Sequence, residues 1–313
     1  MSTLVSLSAP VRGGRLSGAV WEPSGTPRAT VLAVHGITAS HLAWQWLAEA
    51  LPGVRILAPD LRGRGPSRDL PGPWGMEQHA DDCRAFLEAA GADEVLAIGH
   101  SMGGFVVGAL AARPDSGVRS ILLVDGGLPI PLPAGVGPEQ LPGALIGPAA
   151  DRLSTEYASP SAYRAFWEAH PAFAGVHDER LGRYADYDLV GAAPRLRPSG
   201  RIEAVTQDSL DLQDEDTILG RLRRLAGPIP FVRAPRGLLD EVPPLYPDAA
   251  VARWCAEVPA LVVHEAVDVN HYTVVMSDAG VRQLLPLVEA ALETAQKTGD
   301  DAVPRHETVV DGR

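Results

Sequence analysis

The chain is poor in the residues that would tie it to a metal, a membrane or a polyanion. Only two cysteines occur in 313 residues, Cys83 and Cys255, with neither a paired framework nor a metal-ligand spacing. Both fall in segments that read as helical, so free, buried thiols are expected. No run of about 18 apolar residues occurs, and the opening MSTLVSLSAPVRGGRL lacks a basic start followed by a continuous apolar stretch. A soluble, cytoplasmic protein is expected. Positive charge is also scarce: 27 Lys and Arg stand against 39 Asp and Glu, a formal net charge of −12. That balance repels nucleic acid and anionic membrane surfaces and leaves a neutral or lipophilic small molecule as the expected partner.

What is present suits a soluble α/β protein. Hydrophobic residues make up 46% and charged residues 21%, enough apolar surface for a sheet covered on both faces. Leu4 to Trp21 reads as an antiparallel hairpin around Gly13 and Gly14, at one edge of a sheet. Short apolar runs follow at Ala29 to Val34, Arg55 to Ala58, Val95 to Ile98, Ile121 to Val124, Ile229 to Val232 and Leu261 to Val263, and they read as strands buried on both faces. Helix-like stretches separate most of them: His41 to Ala50, Met76 to Ala90, Met102 to Ala112, Asp248 to Ala256 and Val281 to Ala295. The alternation predicts a doubly wound, mostly parallel sheet. Between Gly126 and Gly227 no buried strand is evident, which predicts an inserted helical cap over 128–227, with the core formed by 1–127 and 228–296. The polar tail, 297–313, is expected to be disordered. No internal repeat is evident.

The segment VLAIGHSMGG, Val95 to Gly104, carries the chemistry. A buried strand runs into Gly99-His100-Ser101-Met102-Gly103 and on into a helix, the context that separates G-x-S-x-G from a chance surface turn. Glycines at 99 and 103 leave room for the tight turn that projects the Ser101 hydroxyl, and the helix start offers the Met102 N–H to a developing oxyanion. Earlier, VLAVHGIT ends a strand at His35-Gly36-Ile37-Thr38, where the glycine lets the backbone approach the serine, so that the Ile37 N–H is the second oxyanion donor. His35, directly before that glycine, is expected to make a structural hydrogen bond.

VLAVHGITAS, then PDLRGRGPS with Asp60, Arg62 and Gly65, then GHSMGG resemble successive landmarks of the α/β-hydrolase superfamily. The resemblance spans most of residues 29 to 125. It implies that His271, on the loop between the last strand and the final helix, takes the proton from Ser101 and returns it to the leaving group. His41 and His79 lie on expected helices, His100 inside the elbow, His170 and His177 in the cap, His264 at a strand end and His306 in the tail; none has that place. For the acid the resemblance leaves two positions. Asp125 of ILLVDGG ends a strand, and Asp240 closes Gly237-Leu238-Leu239-Asp240 but falls three residues late when aligned from Pro228. Asp125 is preferred and Asp240 is the alternative.

Of the 17 aromatic residues, seven lie between Gly126 and Gly227. Trp167, with Tyr272 beside the base, is expected to line the substrate site, although Tyr163, Phe166 and Trp167 at helical spacing equally suit packing of the cap. Trp44, Trp46 and Trp74 also lie near expected loop ends and could add to a hydrophobic site. The expected activity is hydrolysis of a carboxylic ester, lactone or thioester through an acyl-enzyme, without metal or organic cofactor. Two other readings stand beside it: the same triad used for C–C bond hydrolysis, lyase or cyclase chemistry, and a non-catalytic small-molecule binding protein with a vestigial triad.

Overall fold

The computed structural model describes residues 2–300, apart from 132–134, 136, 138, 139, 141, 142, 144 and 145. The first two strands, β1 (Thr3–Val11) and β2 (Gly14–Glu22), form an antiparallel hairpin closed by Arg12 and Gly13. Gly13 has φ 85°, the left-handed region that a two-residue hairpin loop needs. The chain then alternates: β3 (Ala29–Val34), a 3-10 turn at His41–Trp44, α1 (Gln45–Ala50), β4 (Val54–Pro59), α2 (Met76–Ala89), β5 (Val95–His100), α3 (Met102–Ala111) and β6 (Val118–Val124).

A long insertion follows. It contains α4 (Pro148–Ser154), α5 (Pro160–Glu168), α6 (Glu179–Tyr187), β7 (Leu189–Ala192), β8 (Arg195–Pro198), α7 (Ile202–Asp211) and α8 (Glu215–Leu222). The core resumes with β9 (Ile229–Arg233), α9 (Asp248–Glu257), β10 (Leu261–Glu265) and α10 (Asp278–Asp300).

Eight strands form one sheet in the order β1-β2-β4-β3-β5-β6-β9-β10. β1, β2 and β4 pair antiparallel and every other neighbour is parallel. The strand period of two divides the core. Leu32, Val34, Val95 and Ala97 face one cluster with Phe86 and Phe105 of α2 and α3. Val31, Ala33, Leu96 and Ile98 face the other, with Trp44, Leu47 and Leu284. Continuous apolar runs therefore form these strands because both faces are covered by helices.

The structure departs from the expectations at five points. The insertion is not purely helical, since β7 and β8 pair antiparallel; each has four residues, too few for an alternating pattern to stand out. β10 is an edge strand, not buried on both faces, and Val262 is 42% exposed. Cys83 is buried as expected, but Cys255 is only partly so. The segment from His41 opens as a 3-10 turn. The last helix starts at Asp278 and runs to Asp300, past the expected start of the tail; the remaining tail, with His306, lies outside the described residues.

Candidate active site

Three chain segments meet at the carboxyl ends of the sheet. Ser101 sits between β5 and α3 with φ 54° and ψ −125°, a conformation that a residue with a side chain rarely adopts and that marks a strained functional turn. Its N–H donates to the Val124 carbonyl at 3.0 Å. The turn is possible because its neighbours lack side chains: a Cβ at position 99 would lie 2.2 Å from the Gly103 carbonyl oxygen, and one at 103 would lie 2.0 Å from that of Val34. Met102 opens α3 directly after the serine, so its N–H is among those a helix leaves without an internal partner.

His271 and Asp125 meet although 146 residues separate them. Nδ1 of His271 lies 2.7 Å from Oδ2 of Asp125, with both side chains buried. Asp125 follows β6 with φ 44°, donates its N–H to Val232 at 2.7 Å and accepts from the Ala234 N–H at 3.0 Å. Adjacent parallel strands thus aim the carboxylate. The histidine is held through its backbone, its N–H donating to Arg236 at 3.0 Å. The preceding Asn270 accepts from the N–H groups of Tyr272 and Thr273 and gives its amide to Ala172 and Asp240.

Asp240, the alternative acid, does not meet His271. It pairs with Arg236 at 2.6 Å and accepts from Asn270 at 2.9 Å. Partial burial would raise its pKa, but these two partners outweigh it and hold the carboxyl below its usual range.

On the other side of Ser101, a Cβ on Gly36 would stand 3.1 Å from the serine Cβ and 3.6 Å from Oγ, so the Gly36–Ile37 backbone passes close to the hydroxyl. Gly36 O accepts from Ala39 N at 3.2 Å and from His35 Nδ1 at 2.7 Å, while His35 Nε2 accepts from Leu61 N at 3.0 Å. Burial depresses the His35 pKa to about 4 against the opposing charge of Asp60. His35 is therefore a neutral structural histidine, as its position implied.

Several contacts around the site were not legible in the sequence. His100 gives its Nε2 hydrogen to the His271 carbonyl at 2.7 Å, and burial pushes its pKa far down. Arg64 donates from Nε to Ile37 O at 2.8 Å and lies 2.6 Å from Asp208 of α7. Arg152 of α4 donates to Thr38 O at 3.1 Å and pairs with Asp188 at 2.7 Å. Asp60 accepts from the His41 N–H and from the Tyr187 hydroxyl of α6. Each contact joins segments far apart in the chain, and only the preference for pairing buried charges would have suggested them.

Ser101, His100 and His271 line one small cavity with Ile37 and Thr38. Ile146, Tyr184 and Leu212 of the insertion, and Leu238, Leu245, Tyr272 and Met276 of the core, complete much of its wall. Its volume is about 30 Å³. Tyr272 lies on the cavity wall, and Trp167 does not. The Trp167 indole is buried behind the wall, 5.5 Å from Tyr184 and 6.0 Å from Tyr272 between ring centroids, with the Arg152 guanidinium 5.0 Å above it. It also borders an outer hollow of about 630 Å³ beside Arg164 and His177, whose lining does not include Ser101.

The remaining tryptophans also stay away from the cavity. Trp44 is buried in the core, Trp46 donates to Asp178 at 3.0 Å, and Trp74 lies under Arg201. Among the described residues no group of three or more His, Cys, Asp or Glu could hold a metal ion, and no helix is long and apolar enough to cross a membrane.

Known proteins agree with this architecture. A lipase, LipV, of Mycobacterium tuberculosis is 35% identical over 183 residues, which are 58% of this chain and 64% of the lipase. A 3-hydroxybutyrate-oligomer hydrolase of Cupriavidus necator is 30% identical over 167 residues, 52% of each chain. The matched region thus spans less than two thirds of either relative. The crystal structure of an E-2-(acetamidomethylene)succinate hydrolase superposes with a TM-score of 0.69 over 95% of this chain and 100% of that one at 22% identity, a likeness of fold. The model of the alpha/beta hydrolase fold matches residues 29–232, from β3 through the Ser101 turn to the strand beside Asp125. The chain belongs to the α/β hydrolase fold family.

Proposed function

We propose that this protein is a serine hydrolase that cleaves a carboxylic ester, lactone or thioester of a small, largely apolar molecule through an acyl-enzyme. The observation that carries this reading is the buried 2.7 Å hydrogen bond between His271 Nδ1 and Asp125 Oδ2, on a histidine that shares a cavity with Ser101. A carboxylate accepts, so Nδ1 keeps its hydrogen and Nε2 presents a lone pair. Nε2 takes the Ser101 proton as Oγ attacks the acyl carbon, and Asp125 stabilises the imidazolium that forms. The N–H groups of Ile37 and Met102 receive the oxyanion. The imidazolium then protonates the leaving group, and a water activated by the same nitrogen releases the acid. Asp240 serves in this scheme as an anchor for Asn270, one residue before the base.

The insertion, 128–227, acts in this proposal as a cap. The mainly apolar cavity wall suits a lipophilic acyl group, yet about 30 Å³ holds no more than a water or two. The wall must part to admit a substrate, since small-molecule sites usually offer about 300 Å³ or more. Relatives named as a lipase and as an oligomer hydrolase support a hydrolytic reaction. The test is turnover of a chromogenic short-chain ester together with labelling by an activated phosphonate. Both are expected in the protein as it stands and neither in Ser101→Ala. Persistent turnover by pure Ser101→Ala would overturn the assignment.

A further inference from the structure

The loop that carries the Ile37 N–H is held at three successive carbonyls. Gly36 O is taken by Ala39 N and by His35. In a trans peptide the N–H points opposite to the C=O, so pinning Gly36 O directs the Ile37 N–H. The contact from Ala39 N to Gly36 O closes a turn with Ile37 and Thr38 at its centre. The peptide between those two residues is the one whose rotation interconverts common turn types. Arg64 Nε holds that peptide at Ile37 O, 2.8 Å away, and Arg152 Nη2 holds the next at Thr38 O, 3.1 Å away.

Neither arginine acts alone. Arg64 comes from the core and is paired with Asp208 of the insertion, whose Oδ1 also accepts from Gly75 N at 2.7 Å and from His79 at 3.0 Å. Arg152 comes from the insertion and is paired with Asp188, which also accepts from the Tyr163 hydroxyl and from Ser199. All four side chains are buried. A buried ion pair is a weak source of stability compared with apolar residues of the same volume. Two such pairs, each sending a guanidinium hydrogen to a neighbouring carbonyl of one short loop, point to a task other than stability.

We propose that Arg64 and Arg152, each neutralised by a carboxylate of the insertion, are positioning residues that hold the Ile37–Thr38 turn in place, so that the insertion sets the geometry of the oxyanion site. This rests on the serine-hydrolase reading above. It also couples two events: a movement of the insertion that opens the cavity carries Asp188 and Asp208 with it and loosens the turn, and reclosure restores the donor before the chemical step.

The test uses the full chain and two double variants, Arg152→Met with Asp188→Asn and Arg64→Met with Asp208→Asn, each of which removes both charges of an arginine–carboxylate pair together. Arg152→Lys serves as the conservative comparison, since an ammonium keeps the charge but lacks the planar fork. Turnover is expressed per site titrated with an activated phosphonate, so that misfolded protein does not count. Amide hydrogen exchange is followed over residues 36–40 and over 95–105. For each double variant kcat per titrated site is expected to fall by about tenfold or more, with KM within about threefold, because a donor made in the transition state is displaced. Exchange over 36–40 is expected to quicken about tenfold while 95–105 keeps its rate. Arg152→Lys should lie between the double variant and the unaltered protein. An unchanged kcat per site with unchanged exchange would overturn the proposal. Should the unaltered protein neither label nor hydrolyse any ester, exchange alone decides: a quickened loop upholds the tie and it is the hydrolase reading that falls, whereas an unchanged loop removes the tie.

Discussion

The sheet and the insertion hold their buried polar groups in different ways. In the sheet they stand at strand ends, where backbone pairing with a neighbouring strand sets their direction: Ser101 after β5 donates to β6, and Asp125 after β6 is held by β9. Around the insertion they are side-chain ion pairs, Arg152 with Asp188 within it and Arg64 of the core with Asp208 of α7. The first arrangement inherits its precision from the ladder of backbone hydrogen bonds. The second depends on each charge finding its partner, so it is open to disruption by one substitution and by acid.

The largest effect should come at the sheet. Ser101→Ala is expected to lower ester turnover by about 10⁴-fold or more, read as kcat on a chromogenic ester. Asp125→Asn should follow, by about 10³- to 10⁴-fold, because the amide favours the wrong imidazole tautomer. Asp240→Asn should cost less than about tenfold, since it loses only part of a loop anchor. Equal mild losses at 125 and 240 would break the claim that the strand end supplies the acid.

The insertion should respond in stability. Arg152→Ala leaves the Asp188 carboxylate buried without its cation and is expected to lower the unfolding free energy by about 3–5 kcal/mol, measured by urea titration. The exposed pair Arg119–Glu94 is the comparison, and Arg119→Ala should cost less than about 1 kcal/mol. Similar losses at the two sites would erase the distinction between the buried ties and an ordinary surface pair.

Acid should separate the buried histidines from the buried carboxylates by window. The folded pKa of His35 is depressed to about 4 from 6.5 by burial, and that of His100 is also far down. Between those values the unfolded chain binds more protons, so stability falls as pH falls from 6.5 toward 4. His35 alone accounts for about 2 kcal/mol between pH 7 and 5. Asp208 titrates lower: burial would raise it, but His79 and Arg64 hold it near 2 against an ordinary 3.8. Its contribution is present above 3.8 and is lost as pH falls through 2. Urea midpoints from pH 7 to 2 should therefore fall in two stages, the upper one from buried histidines of both regions and the lower from buried carboxylates, Asp208 and Asp60 among them. A flat profile down to pH 4.5 would contradict the neutral, buried state of His35.

Legibility followed the same division. The strands from β3 to β6 and β9 were readable because burial on both faces demands continuous apolar runs, and Ser101 because its turn demands Gly99 and Gly103. The short hairpin β7–β8 was not, since four residues carry too little pattern. Trp167 was misplaced for a physical reason: its spacing reports that it is buried, and burial behind a wall and burial within it look alike. Arg64, Arg152, Asp188 and Asp208 carried no local signature, because their partners lie 27 to 144 positions away.

By itself the sequence determined the α/β alternation, the Ser101 turn with its neighbouring glycine loop, and His271 as the histidine after the last strand. These follow from local constraints: periodicity of burial, room for a tight turn, and position along the chain. Only the tertiary structure brought Asp125 rather than Asp240 to His271, placed Tyr272 on the cavity and Trp167 behind it, and tied the insertion to the Ile37 loop. Each of those depends on which distant groups come within hydrogen-bonding distance once the sheet has closed, and that distance is written in no single segment.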